Sequence, residues 1–257
     1  MLLSEAAELS ANVTMIFSWD VAVIFFVLGA VIPWRGAVRV RKLLARPQVT
    51  GMDRLVIYAS TIAFQWLLAG VVVWRSFVHG FTADQLGLSV HSPVSTTLWA
   101  VGLVLGLGTV QYIGIRRTAQ MDTNPPSRLR LISIRLMPGS LIEALVFSAL
   151  AVTAGVCEEF LYRGFVFAVL FAFTGSAAIA IIGSSLLFSL AHIYQGARGI
   201  ISTLILGLIL AASRHFTGNL LPAMAAHFVI DMMAGLLAAR YLKQPSPSRE
   251  LVEELKP

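Results

Sequence analysis

The sequence predicts an all-α fold, a polytopic transmembrane helix bundle with seven or eight spans. Three observations predict it. Of 257 residues, 57% are hydrophobic and 12% are charged, whereas soluble domains carry about 25% charged residues. The mean hydropathy is +0.81. Apolar runs near the spanning length of about 20 residues follow one another with short loops between them. So few charges cannot cover a water-facing surface, which excludes a soluble globular domain. The same composition excludes disorder, collagen and coiled coil. One cysteine, Cys157, excludes a disulfide framework and a thiolate metal cluster. The net charge of +6 does not point to nucleic acid. Most of the arginines lie in short loops between apolar runs, where they meet anionic lipid headgroups and set orientation.

Residues 1–12 hold Glu5 and Glu8 and neither Lys nor Arg, so no cleaved signal peptide is read there. The first span is placed at Met15–Trp34, with Asp20 near its start. Arg35, Arg39, Arg41, Lys42, Arg46 and Arg54 then form a basic loop. The second span is Leu55–Val78. Its following loop, Gly80–Pro93, carries Asp84 and no Lys or Arg. The third span is Val94–Ile115, with Gly102 and Gly106 as a small-residue face for close helix packing. Arg116, Arg117, Arg128, Arg130 and Arg135 make a second basic loop, in which Pro125 and Pro126 block helix. Both basic loops are assigned to the cytoplasm and the N-terminus to the other side.

Apolar sequence then runs from Leu141 to Phe173. One helix of that length would measure about 50 Å against a hydrocarbon core of about 30 Å. It must tilt or break, and Gly155 and Gly164 are the expected break points. The remaining runs are Ala177–Ile193, Ile200–Ser213 and Leu220–Leu242, of which Ile200–Ser213 is short for a span. Pro222 fits a first helical turn capped by Asn219. Residues 1–140 thus read as an N-terminal unit of three spans and 141–242 as a second helical unit, the core that the polar residues below single out. Residues 243–257, with Pro245 and Pro247, read as a polar tail.

The second half buries ionisable groups that cost about 2.5–3.5 kcal/mol each at mid-membrane. They are Glu143, Glu158, Glu159, Arg163, His192, His227 and Asp231. Glu159 and Arg163 are four apart and share a helix face, with the acid first. Glu158 points about 100° away, lacks that partner, and is available as a general base or acid. Phe188 and His192 are four apart, as are His227 and Asp231. Asp231 can accept a bond from His227, or both can face a substrate or water. Taken singly, each pattern also fits a structural role: an ion pair between helices, a packed histidine, a polar staple. Together, on three apolar segments, they are most economically satisfied in one polar pocket. In the first half, Asp20 and Arg75 read as scattered.

At these residues the chain resembles the CPBP intramembrane proteases, which include the type II CAAX prenyl endopeptidases and the bacterial abortive-infection membrane proteins. Their pattern is Glu-Glu-x-x-x-Arg, Phe-x-x-x-His, then His-x-x-x-Asn or Asp. Here it reads Glu158-Glu159…Arg163, Phe188…His192 and His227…Asp231, in order. Asp231 departs from the Asn of the CAAX endopeptidases, which puts the substrate in question more than the activity. The resemblance implies an integral protein of the bacterial inner membrane acting on a membrane-associated peptide or protein. A prenylated peptide is not expected in a bacterium. It further implies that Glu158, helped by His192, activates a water for attack on a peptide carbonyl. His227 and Asp231 would then stabilise the oxyanion or position the water, and Arg163 would anchor Glu159.

A zinc ion held by Glu158, His192 and His227 is the alternative chemistry. The chain lacks His-Glu-x-x-His, and a mechanism without metal or other cofactor is favoured. Two other classes stay open. A proton-coupled transporter would bury similar groups but show two related halves, which the sequence lacks. A non-catalytic membrane scaffold or immunity protein would keep the fold and tolerate loss of the polar set, which is intact here.

Overall fold

The computed structural model describes residues 18–120 and 128–237, and every regular element in them is helical. The expectations for residues 1–12, for Pro125 and Pro126 and for the polar tail lie outside the described residues. Helix α1 (Trp19–Ala45) contains a π turn at Val27–Val31. It continues through Arg35, Arg39, Arg41 and Lys42, where the sequence reading placed a loop. Arg, Lys and Leu are good helix formers. The helix stops only at Arg46, whose backbone is extended (φ −74°, ψ 137°) ahead of Pro47. Thr50 caps α2 (Gly51–Val78) through a reciprocal box with Asp53. Helix α3 (Pro93–Gln120) and the short, Arg-rich α4 (Arg128–Leu136) follow.

Gly102 and Gly106 do not serve as a packing face, since a Cβ on either would meet nothing within 4 Å. Helix α3 instead packs through Leu103 and Leu107 against Ala223 and Ala226.

Helix α5 (Leu141–Thr174) is one uninterrupted helix of 34 residues, so neither Gly155 nor Gly164 breaks it. These glycines admit neighbours instead. A Cβ on Gly155 would lie 3.1 Å from the Met224 carbonyl oxygen, and one on Gly164 would lie 3.1 Å from that of Leu86. Within α5, residues Phe160–Val166 form a π segment buried at every position. Such segments recur at functional sites. It lies at the centre of the core, packed on Leu28 of α1 and Val72 of α2 among others.

Helices α6 (Ala177–Ala191), α7 (Ala197–Thr217) and α8 (Leu221–Leu237) complete the bundle. The expected short element, Ile200–Ser213, is the longest of these three. Its polar flanks stay helical from Ala197 until Gly218 adopts φ +72°. The shorter apolar helices are α6 and α8. Five helices are long and apolar enough to cross a membrane, and with the two shorter ones the described residues hold seven apolar helices. Pro222 does occupy the first turn of α8. The cap position is Leu220, and Asn219 Oδ1 accepts from the Leu221 N–H instead.

The two basic segments meet at one end. Arg135 donates to the Leu43 carbonyl at 3.0 Å, and Leu237 packs with Ile115 and Met137. At the other end, the Leu220 N–H donates to the Gly87 carbonyl at 2.9 Å. There Asp20 and Arg75, scattered in sequence, form an ion pair at 2.6 Å that His79 joins at 2.8 Å. The antiparallel run of α1 and α2 puts the start of one beside the end of the other. Helix α8 therefore ends on the basic side, which by the positive-inside rule is expected to face the cytoplasm. In a Cys157→Ser background, Gln85→Cys is expected to label from outside intact cells and Gln48→Cys only after permeabilisation. The reverse pattern would invert the orientation.

Candidate active site

The polar residues of the second half fall into a buried group and a cavity-lining group. Glu159 and Arg163, four apart at the entry to the π segment, are fully buried and paired at 2.8 Å. This is the pair the spacing predicts. The guanidinium lies over the Phe188 ring, 4.1 Å from its centroid. Gly207 leaves it room, because a Cβ there would stand 3.3 Å from Arg163 Nη2. His227 Nδ1 donates to the same Glu159 oxygen at 2.8 Å. Of the two expected arrangements of His227, the direct bond to Asp231 is not made. Its Nε2 is 3.7 Å from Asp231 Oδ2, too long for a hydrogen bond. Close approach of the α8 backbone to Gly155 carries His227 to Glu159 on the neighbouring helix.

Glu158 is part of the wall of a cavity of about 350 Å³ between α1, α2, α5 and the end of α6. Gln65 of α2 donates to Glu158 Oε1 at 2.6 Å. This holds one carboxylate oxygen and leaves the other for a water or substrate. His192 closes α6 and lines the same cavity. Its Nδ1 is 2.9 Å from the Phe188 carbonyl. A carbonyl only accepts, so Nδ1 carries the proton and a neutral ring offers its Nε2 lone pair. Tyr162 and Tyr194 also line the cavity. Burial pushes the Tyr194 hydroxyl up to about 12, so it stays an O–H donor at neutral pH.

Phe188 joins the two groups. Its ring centroid is 4.6 Å from that of His192 and 5.8 Å from that of His227. The structure thus gathers all six predicted residues into one region. Glu158 and His192 line the cavity, Glu159, Arg163 and His227 are buried beside it, and Asp231 is half-buried at the edge. Glu143 does not join them. It sits at the basic end, bound by Arg54 at 2.5 Å and by the Gly139 N–H at 2.9 Å.

Among the cavity residues that escaped sequence reasoning are Gln65 and Tyr194. Gln65 had a usable signal, a lone amide within the apolar run of α2. Tyr194 had none. Both α1 and α2 contribute wall, so the cavity is not confined to residues 141–242. The zinc alternative needs three protein ligands. No group of three His, Cys, Asp or Glu side chains among the described residues is arranged to hold a metal ion.

Residues 140–233 match the family model described as type II CAAX prenyl endopeptidase, Rce1-like. The matched stretch begins at the start of α5, ends within α8, and carries all six residues. No curated protein and no solved structure matches the chain.

Proposed function

We propose that the protein is an intramembrane endopeptidase in which Glu158 is the general base. One observation carries this reading. A carboxylate inside apolar helices stands on a cavity wall with one oxygen held by Gln65, and His192 lines the same space. The family match supports a CAAX-type membrane protease at the coarse level, and with it a membrane-associated peptide or protein substrate.

The chemistry follows from the donors and acceptors present. Glu158 takes a proton from a water that His192 Nε2 helps to orient as acceptor. The water oxygen bonds to the peptide carbonyl carbon, and negative charge moves to the carbonyl oxygen. That oxyanion needs hydrogen-bond donors. Tyr194 supplies an O–H on the cavity wall, and His227 supplies Nε2–H when that nitrogen is protonated, with Asp231 beside it. On collapse the carbon–nitrogen bond breaks, and Glu158 passes its proton to the departing amine. Glu159 does not touch the substrate in this scheme. It anchors Arg163 and His227 and thereby fixes where α8 meets α5.

The test compares membrane-protein fragments from cells carrying the wild type or Glu158→Ala, followed by digestion of a candidate with purified protein. Fragments lost in the variant and cleavage indifferent to a strong chelator are expected. Cleavage that stops on metal removal and returns with zinc would overturn the assignment of Glu158 as a metal-free base.

A further inference from the structure

A second cavity, of about 600 Å³, lies at the end of the bundle opposite the basic segments. The loop after α2, the last turns of α5 and the end of α7 enclose it. Arg214 of α7 lines this cavity and is only 8% exposed. A guanidinium carries a full charge and five N–H donors. Here Nη2 donates to the Gln85 carbonyl at 2.5 Å. The buried Nε–H has no partner among the described residues. Nor does any ion pair among them involve Arg214. The charge is held in place without being neutralised. The guanidinium carbon lies over the Phe167 ring, 4.6 Å from its centroid. Gly87, at φ +71°, brings the loop backbone against the other side, where a Cβ would stand 3.3 Å from Nε. The acids nearby have other partners. Asp20 pairs with Arg75 and His79. Asp84, the one carboxylate in the cavity lining, stands 3.5 Å from His91 Nε2.

An arginine that only complemented the C-terminal end of α7 could do so from water. A buried cation without a counter-charge is costly, and its spare donors suit an incoming oxyanion. We propose that this cavity binds a phosphate-bearing anion, with Arg214 as the cation and His215, which lines the same space, as a further N–H donor. The site is separate from Glu158 and does not depend on the protease reading. Arg214 lies three residues before the end of α7, about 4.5 Å of rise, close to where the headgroup region meets the helix ends. The phosphate belongs either to a phospholipid headgroup or to a free ion. Phe167 and Phe171 line the cavity on successive turns of α5, and Phe171 is 43% exposed. An apolar wall thus runs outward from the cation, and it adds to the binding of a lipid but not of free phosphate. Three separate chain segments meet at the site, so an anion bound only to the folded state stabilises it by mass action.

The test is the melting temperature of the purified full chain in neutral detergent, followed as each probe is added. The probes are dioctanoyl phosphatidylglycerol, dioctanoylglycerol, which has the same chains without the phosphate, and inorganic phosphate at constant ionic strength. A phosphate-bearing probe is expected to raise the melting temperature with saturation, and dioctanoylglycerol is not. Arg214→Gln should weaken the apparent affinity about tenfold, the worth of one hydrogen bond to a charged group. Ala172→Phe, which fills the cavity from α5 and leaves Arg214 in the chain, should weaken it as well. That second variant keeps the test decisive if Arg214→Gln does not fold. A response to phosphatidylglycerol alone that both changes weaken identifies a lipid headgroup, and an equal response to inorganic phosphate identifies the free ion. Equal stabilisation by dioctanoylglycerol, no response to any probe, or a response that Ala172→Phe leaves intact overturns the inference. The last of these would assign the response to headgroup contacts at the basic end.

Discussion

Glu159→Gln is expected to lower the stability of the whole bundle together with its activity. Arg163 is fully buried, and its ion pair is to Glu159. His227 donates to the same oxygen. The amide keeps an acceptor for one of these donors but not the charge that both need. Breaking a buried pair from one side costs about 3–5 kcal/mol. For a chain of this size that corresponds to a loss on the order of 10 °C in melting temperature. Turnover should fall as well, because α8 loses the bond that seats His227. An unchanged melting temperature in detergent would mean that Glu159 does not hold Arg163 and His227 in place.

Glu158→Gln is expected to do the opposite, removing turnover and sparing the fold. The amide has the shape of the carboxylate and can still accept from Gln65, but it cannot take a proton from water. General-base catalysis is worth about 10²–10⁴ in rate, so kcat should drop at least a hundredfold while melting stays at the wild-type value. Measured side by side, the two glutamine variants separate the adjacent glutamates by role. Equal loss of activity with unchanged melting in both would mean that the helix-face argument assigns them wrongly. Wild-type turnover in Glu158→Gln, on a verified substrate, would remove the proposed base.

The separation of these roles is legible in the sequence, because it depends only on helix geometry. Residues four apart share a face and adjacent residues do not, so Glu159 goes with Arg163 and Glu158 points elsewhere. The same local rule places Phe188 against His192. It fails for His227 and Asp231, which are also four apart. There a partner on another helix competes with the neighbour on the same helix, and Glu159 wins at 2.8 Å against 3.7 Å. Spacing along a helix gives no measure of that competition.

Glycine shows the same division. Gly155 and Gly164 are conspicuous in the sequence as possible breaks, and Gly102 and Gly106 as a packing face. What each does depends on what stands opposite its Cα: backbone for Gly155 and Gly164, and nothing for Gly102 and Gly106. A sequence records the small residue and omits its neighbour.

By itself the sequence determined the membrane-helix class, the basic and non-basic ends, and the inventory of buried ionisable groups. These follow from hydropathy and charge, which are sums over local composition and need no packing. Only the tertiary structure decided that Gln65 holds Glu158 across 93 residues of chain and that Asp20 meets Arg75 across 55. It also decided that Arg35 and Arg39 face the cavity of Glu158. Each of these contacts joins two helices. Their registers are set by how side chains interlock across the interface, a property of the pair of helices that neither segment carries alone.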